Sequence, residues 1–136
     1  MFTYVFAHAN VTHFFGNFML ILVVGPMVEE KYGSRQVLTM MIITAVVTGL
    51  VQVIFFPYVA LVGASGLVFM LILLSSFANS REGHIPITLV LVAIFYLGNE
   101  VVGGLLQNDN ISQLAHIGGG LCGAAFGFIF NRNKLR

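Results

Sequence analysis

Charged residues are scarce in this sequence of 136 residues, of which only 8% are Asp, Glu, Lys or Arg. Soluble domains carry roughly 25% charged residues, whereas 58% of this chain is hydrophobic. This composition excludes a disordered chain, a nucleic-acid-binding protein and an ordinary soluble enzyme. The six basic and five acidic residues leave a net charge of +1, which is too small to steer a charged partner.

Cysteine is almost absent as well. The single cysteine, Cys122, excludes an internal disulfide framework, and Cys and His do not occur together at zinc-site spacing. The chain is therefore predicted to be an all-α, polytopic transmembrane helical bundle. We expect one domain over residues 1–136, with the lipid bilayer as its surroundings.

The stretches without charge predict five membrane-spanning helices, since one span needs about 20 apolar residues. Charges are absent from residues 1–28, 36–80, 83–99 and 110–131. The second stretch has room for two helices, and Pro57 with Gly63-Ala64-Ser65-Gly66 marks the turn between them. Thr12 is predicted to cap the first helix. The predicted spans are 12–28, 36–55, 65–79, 86–103 and 112–131.

The basic residues predict the orientation of these helices. They lie in the connections 29–35 and 80–85 and in the C-terminal tail, at Lys31, Arg35, Arg81, Arg132, Lys134 and Arg136. Because Lys and Arg accumulate in cytoplasmic loops, the C-terminus is predicted to be cytoplasmic and the N-terminus external. A chain that must export its own start is unusual. We therefore expect a further helix before Met1, or a fragment or variant of a longer protein.

This orientation brings polar residues from three predicted helices to the outer side of the membrane. The first helix carries His13 and Asn17 there, the third begins with Ser65, and the fifth carries His116 near its start. Polar residues within a membrane are costly, so they are candidates for function.

Ser65 and His116 are predicted to be a nucleophile and its general base, because a serine hydroxyl needs a base that titrates near neutrality. A helix that begins at Ser65 directs free N–H groups at a developing oxyanion. The flanking Gly63 and Gly66 allow backbone and substrate to approach closely. Each motif alone has a structural alternative: small-residue helix packing for the glycine-serine stretch, and an interhelical hydrogen bond for His116.

His13 and Asn17 are four residues apart, hence on one helical face, and both can donate hydrogen bonds to an oxyanion. His8 is expected to make a structural hydrogen bond to a loop. No carboxylate or thiolate lies near these histidines, which argues against a metal site. The only aspartate, Asp109, falls in an outer connection, so a Ser-His dyad is favoured over a triad.

The glycines that follow His116 form a stripe at a spacing of four residues, at Gly119, Gly123 and Gly127. Such a stripe allows a neighbouring helix to approach very closely. The neighbour could be the helix of Ser65, which would bring the two dyad residues together.

Taken together, the motifs resemble the rhomboid family of intramembrane serine proteases. The resemblance covers nearly the whole chain and includes the one-sided placement of Lys and Arg. The motifs are His8-x4-His13-x3-Asn17, Glu29-x3-Gly33-Ser34, Gly63-x-Ser65-Gly66 and Ala115-His116-x2-Gly119-x3-Gly123.

The resemblance implies a catalytic role for Ser65 as nucleophile and for His116 as general base. The backbone N–H of Ser65 and the side chains of His13 and Asn17 would form the oxyanion hole. His8 would be a structural histidine at the rim of the site. The family uses no metal or organic cofactor, and its partners are transmembrane protein substrates that are cut near the outer face.

The resemblance also identifies structural positions and two departures from the family. Glu29 and Gly33 would be structural at the cytoplasmic turn. Phe69 stands where members often have a tyrosine whose ring lies against the catalytic histidine. The family core has six helices, and this chain begins just before the second of them.

Two alternatives to a protease stay open. One is a catalytically silent rhomboid-like protein, or a truncated fragment, that binds transmembrane clients. The other is a small transporter or channel, for which polar residues deeper in the helices would be expected. The compact chain without soluble domains suggests a bacterial plasma membrane.

Overall fold

The fold is known from a computed structural model, which describes residues 3–58, 60–78 and 110–133 together with Ile87, Leu91 and Ile94. A short 3-10 helix over Thr3–Phe6 comes first. Four α-helices follow within the described residues: α1 over Val11–Tyr32, α2 over Ser34–Phe55, α3 over Ser65–Ala78 and α4 over Asn110–Asn133. The prediction of an all-α fold is confirmed.

α1 and α2 have the length and composition of membrane-spanning helices. Each helix has 22 residues. In the most apolar part of each helix, only 17% of α1 and 39% of α2 is buried. The core helix of a soluble protein would be mostly buried, so most of this apolar surface is available to lipid.

The number of five spans stays a prediction. Most of the fourth predicted span, 86–103, lies outside the described residues. Ile87, Leu91 and Ile94 within it are helical and exposed. The connection 80–85, the positions 104–109 and the tail residues Lys134 and Arg136 also lie outside the described residues.

The ends of α1 differ from the predicted span 12–28. Asn10, not Thr12, caps the helix, because its side-chain oxygen accepts a hydrogen bond from the His13 backbone N–H at 2.8 Å. At the other end, α1 continues through Glu29 and Lys31 to Tyr32. Charge marks the edge of the membrane and does not end a helix, because Glu and Lys are good helix formers.

A single residue, Gly33, separates α1 from α2. Its φ of 85° lies in the region that glycine adopts at little cost. The Gly33 N–H donates to the Glu29 carbonyl at 2.7 Å, and the Ser34 hydroxyl donates to the Glu29 carboxylate at 2.5 Å. The motif Glu29-x3-Gly33-Ser34 thus builds this turn.

In the part of the chain that the structure describes, α3 is the shortest and most buried of the four helices. Its 14 residues span about 21 Å at 1.5 Å per residue, less than the ~30 Å of a bilayer core. It contacts α1, α2 and α4. Its buried apolar side chains are Leu67, Val68, Met70, Leu71, Ile72 and Leu74.

Glycines bring α3 and α4 into backbone contact. A Cβ atom built at Gly119 would overlap the carbonyl group of Gly66, and one built at Gly123 would overlap the backbone of Met70. A Cβ at Gly127 would lie 2.5 Å from the ring of Phe77. The close neighbour of the glycine stripe is therefore the helix that begins with Ser65.

Candidate active site

Ser65 lies at the first turn of α3, in the interior of the bundle. Its side chain is only 6% exposed. The first backbone hydrogen bond of the helix runs from the Val68 N–H to the Ala64 carbonyl at 3.1 Å. The N–H groups of Ser65, Gly66 and Leu67 come before this bond, so they point out of the N-terminal end of the helix.

His116 lies against the same turn. Its imidazole stacks on the ring of Phe69, with 4.5 Å between the centroids and 5° between the planes. Phe69 is one turn after Ser65 on the same face of α3. The backbone next to His116 also lies close to α3, because a Cβ atom built at Gly66 would be 3.2 Å from the Ala115 carbonyl oxygen. Together these contacts bring the imidazole to the N-terminal end of α3, where Ser65 lies.

His13 and Asn17 meet the loop that leads into α3. A Cβ at Gly63 would lie 2.7 Å from Cε1 of His13 and 3.7 Å from Nδ2 of Asn17. Asn17 is fully buried, and Gly63 has a φ of 111°. The starts of α1, α3 and α4 thus converge at one end of the bundle, as the sequence predicted.

His8 lies at the edge of this cluster. Its Nδ1 is 3.3 Å from the Phe6 carbonyl, to which it donates in the matching tautomer. Its ring is edge-on to His13, with 5.3 Å between the centroids, and to Phe14 at 5.2 Å. These contacts are local, as expected of a structural histidine.

Two residues at the site were missed in the sequence. The Tyr4 hydroxyl forms a hydrogen bond with the hydroxyl of Thr48. The Thr48 methyl group faces both Gly66 and Gly118, where added Cβ atoms would lie 3.6 Å and 3.2 Å from it. The sequence does indicate Thr48 as a candidate. Polar residues repeat every four positions in a stretch without charge, at Thr44, Thr48 and Gln52.

Comparison with known protein families identifies this arrangement of helices. A family model of the rhomboid domain matches residues 1–133. The chain belongs to the rhomboid family. Membership makes it an integral membrane protein with a helical bundle, which agrees with the apolar surfaces of α1 and α2.

Several curated rhomboid proteins are similar to this rhomboid chain. Rhomboid-related protein 1 of Caenorhabditis elegans is 28% identical and aligns with 98% of the chain. Rhomboid-like protease 1 of Toxoplasma gondii is 30% identical over 94% of it. Rhomboid-related protein 2 of Mus musculus is 30% identical over 93% of it.

The chain spans less than half of the length of these relatives, at 40%, 45% and 46% respectively. All three come from eukaryotes, so they give no support to the expectation of a bacterial plasma membrane.

Proposed function

We propose that this rhomboid chain is an intramembrane serine endopeptidase that cleaves transmembrane segments of other membrane proteins. The observation that carries the proposal is the stacking of His116 on Phe69, one turn from Ser65 at the start of a buried helix. A relative named a rhomboid-like protease, at 30% identity, supports the reaction class.

The proposed chemistry needs only Ser65 and His116 as reacting protein groups. The Ser65 oxygen attacks the scissile carbonyl carbon while His116 accepts the hydroxyl proton. His116 then gives this proton to the leaving amine, which breaks the C–N bond and leaves an ester on Ser65. Water attacks the ester with His116 again as the base, which releases the acid and restores the hydroxyl.

The negative charge on the tetrahedral intermediate would be stabilised by donors from two helices. The Ser65 N–H lies at the N-terminal end of α3, and His13 and Asn17 of α1 contact Gly63 just before it. Donors that are already in place before the reaction lower the barrier most, because no reorganisation is needed at the transition state.

The proposed place of cleavage follows from the depth of the site in the membrane and from the orientation of the helix bundle. The described part of α3 is shorter than the bilayer core, and we propose on this ground that the site at its start lies below the membrane surface. With the C-terminus in the cytoplasm, this end of the bundle faces outward. A transmembrane segment would then be cut near its outer end, inside the membrane.

Cleavage of a reporter transmembrane segment in liposomes tests this function. We would use the 136-residue chain, and the same chain with an upstream helix added. Ser65→Ala and His116→Ala are expected to abolish product. Ser76→Ala is the matched control, because Ser76 lies on the same helix and, among the described residues, its hydroxyl donates to the Ile72 carbonyl of its own helix at 3.1 Å. Reporter that binds and is never cut, in either form, would contradict the protease and favour the client-binding alternative.

A further inference from the structure

Tyr4 connects three segments that meet at the site. It lies in the 3-10 helix Thr3–Phe6, before α1. Its hydroxyl forms a hydrogen bond with the Thr48 hydroxyl and donates to the Ala45 carbonyl at 3.2 Å, both on α2. Its backbone carbonyl accepts the N–H of Gly63 at 3.1 Å. One residue therefore ties the loop before α3 to the middle of α2.

The position of Gly63 matters for the proposed chemistry because it fixes the distance between Ser65 and the donors of α1. Gly63 is two residues before Ser65 and packs directly on the imidazole of His13. A displacement of this loop would separate the Ser65 N–H from His13 and Asn17. A misplacement of about 1 Å can slow an enzyme by roughly 100-fold.

Thr48 supplies a second connection from Tyr4 to the site. The methyl group of Thr48 packs on Gly66 of α3 and on Gly118 of α4, which adjoin Ser65 and lie near His116. The Thr48 hydroxyl oxygen also lies 2.8 Å from the Thr44 carbonyl oxygen of the same helix. The hydroxyl of Tyr4 is thus bonded to a side chain that lies between the two proposed dyad helices.

The surroundings keep Tyr4 in place and protonated. Its neighbour Val5 is 4% exposed and belongs to a cluster with Ala45, Ala64 and Leu67, against which Tyr4 also packs. Burial raises the pKa of Tyr4 above its ordinary value, against the smaller opposing effect of the Thr48 hydrogen bond. The phenol therefore remains a donor throughout the physiological pH range.

We propose that Tyr4 is a positioning residue, which holds Gly63 through its carbonyl and α2 through its hydroxyl and so fixes Ser65 against His13 and Asn17. It touches neither substrate nor reacting atoms. Its effect on catalysis rests on the proposed function, whereas its effect on the Gly63 loop does not.

Amide hydrogen exchange at Gly63 tests the positioning without any need for activity. Tyr4→Phe keeps the ring and the backbone carbonyl and removes the hydroxyl. We expect exchange at Gly63 to become roughly tenfold faster, because the loop opens locally more often once its anchor is weakened. Tyr32→Phe is the matched control, since Tyr32 is also partly buried but lies at the far end of α1, against Phe130. Unchanged exchange in Tyr4→Phe overturns the inference, whatever the activity.

Kinetics test the consequence for catalysis. In Tyr4→Phe, kcat is expected to fall roughly tenfold with little change in KM, because only the transition-state geometry is disturbed. Thr48→Val, which removes the hydroxyl partner at nearly constant shape, is expected to lower kcat similarly. The double variant should be no worse than the single ones, because the two hydroxyls act as one unit.

The two proposals fail in different ways. A wild-type chain that cleaves nothing, with Gly63 exchange faster in Tyr4→Phe, contradicts the protease and supports the positioning role. An active chain with unchanged kcat and exchange in both Tyr4→Phe and Thr48→Val supports the protease and overturns the positioning role. Should Tyr4→Phe fail to fold, Thr48→Val carries the same exchange measurement.

Discussion

At the scale of single residues, Gly63 combines two constraints that no other amino acid satisfies. Its φ of 111° is disfavoured for residues with a Cβ atom, and that atom would lie 2.7 Å from the His13 ring. Glycine is therefore needed here both for the course of the backbone and for the position of His13, a proposed oxyanion donor.

Replacing Gly63 is expected to inactivate the chain. Gly63→Ala should lower kcat by roughly 100-fold, because either the loop or the His13 imidazole must move. Gly16→Ala is the control, since a Cβ at Gly16 meets no atom of the described residues within 4 Å. That control should stabilise α1 by up to about 1 kcal/mol. Cleavage of the liposome reporter measures the loss of kcat in Gly63→Ala, and thermal unfolding in detergent measures the stability of Gly16→Ala. A fully active Gly63→Ala variant would show that the loop is not fixed.

The ring of Phe69 is expected to support His116. Phe69→Ala removes the stacked surface, which is worth about 0.5–1.5 kcal/mol, and should reduce kcat/KM severalfold. Phe69→Tyr keeps the ring and should change activity little. Phe128→Ala, on the exposed face of α4, is the control in the same reporter assay. Equal activity of Phe69→Ala and Phe128→Ala would show that stacking does not orient the imidazole.

The residues brought together at the site were largely predictable, and the reason is chemical. Ser65, His13, Asn17 and His116 are polar groups in apolar stretches, and such groups are rare enough to identify. Tyr4 was not identifiable, because its role depends on a backbone carbonyl that accepts from Gly63. Any residue type has that carbonyl, so only the fold reveals it.

At the scale of helices, the proposed Ser65-His116 dyad depends on the contact between α3 and α4. Gly119 lies on the Gly66 backbone and Gly123 on that of Met70. The two helices approach so closely because neither has a side chain between the backbones. The Ser65 turn and the His116 turn are brought together by the same contact.

A single methyl group in this interface is expected to separate the helices. Gly119→Ala should destabilise the bundle by about 1–3 kcal/mol, the usual cost of overpacking, and should also lower activity. Gly120→Ala, one residue further, is the control, because among the described residues its Cβ would meet the flexible Leu73 side chain at 3.3 Å and no backbone atom within 4 Å. Thermal unfolding in detergent compares the two; equal stability would mean that the helices pack less closely than described.

The helix ends show where sequence patterns are weaker. The start of α3 at Ser65 was predicted correctly, because Gly63 and the small residues around it interrupt the chain. The start and end of α1 were not, because Asn10 replaces Thr12 as the cap and the helix continues through Glu29 to Tyr32. Charge and hydropathy report the membrane boundary, whereas helix ends depend on capping bonds.

At the scale of the whole molecule, the proposed cleavage depends on one orientation of the chain in the membrane. The proposed site lies at the ends of the helices away from the Glu29–Ser34 turn. Lys31 and Arg35 lie at that turn, so we propose that it lies in the cytoplasm. The proposed site would then face the outer side of the membrane.

Cysteine accessibility tests the orientation. In a Cys122→Ala background, Tyr58→Cys lies between α2 and α3 at a position that is 98% exposed, and Glu30→Cys is exposed near the turn. A membrane-impermeant maleimide added to intact cells should label Tyr58→Cys, and should label Glu30→Cys only after permeabilisation. The opposite pattern would invert the molecule and place the site in the cytoplasmic half.

The proposed protease requires that Ser65 is an activated nucleophile, and a fluorophosphonate probe measures this property. We would label the chain in liposomes, alone and with an added upstream helix, and locate the adduct by mass spectrometry. We expect an adduct on Ser65 that is lost in Ser65→Ala and His116→Ala and kept in Ser76→Ala. Absence of an adduct from both forms, or an adduct that survives His116→Ala, would contradict the dyad.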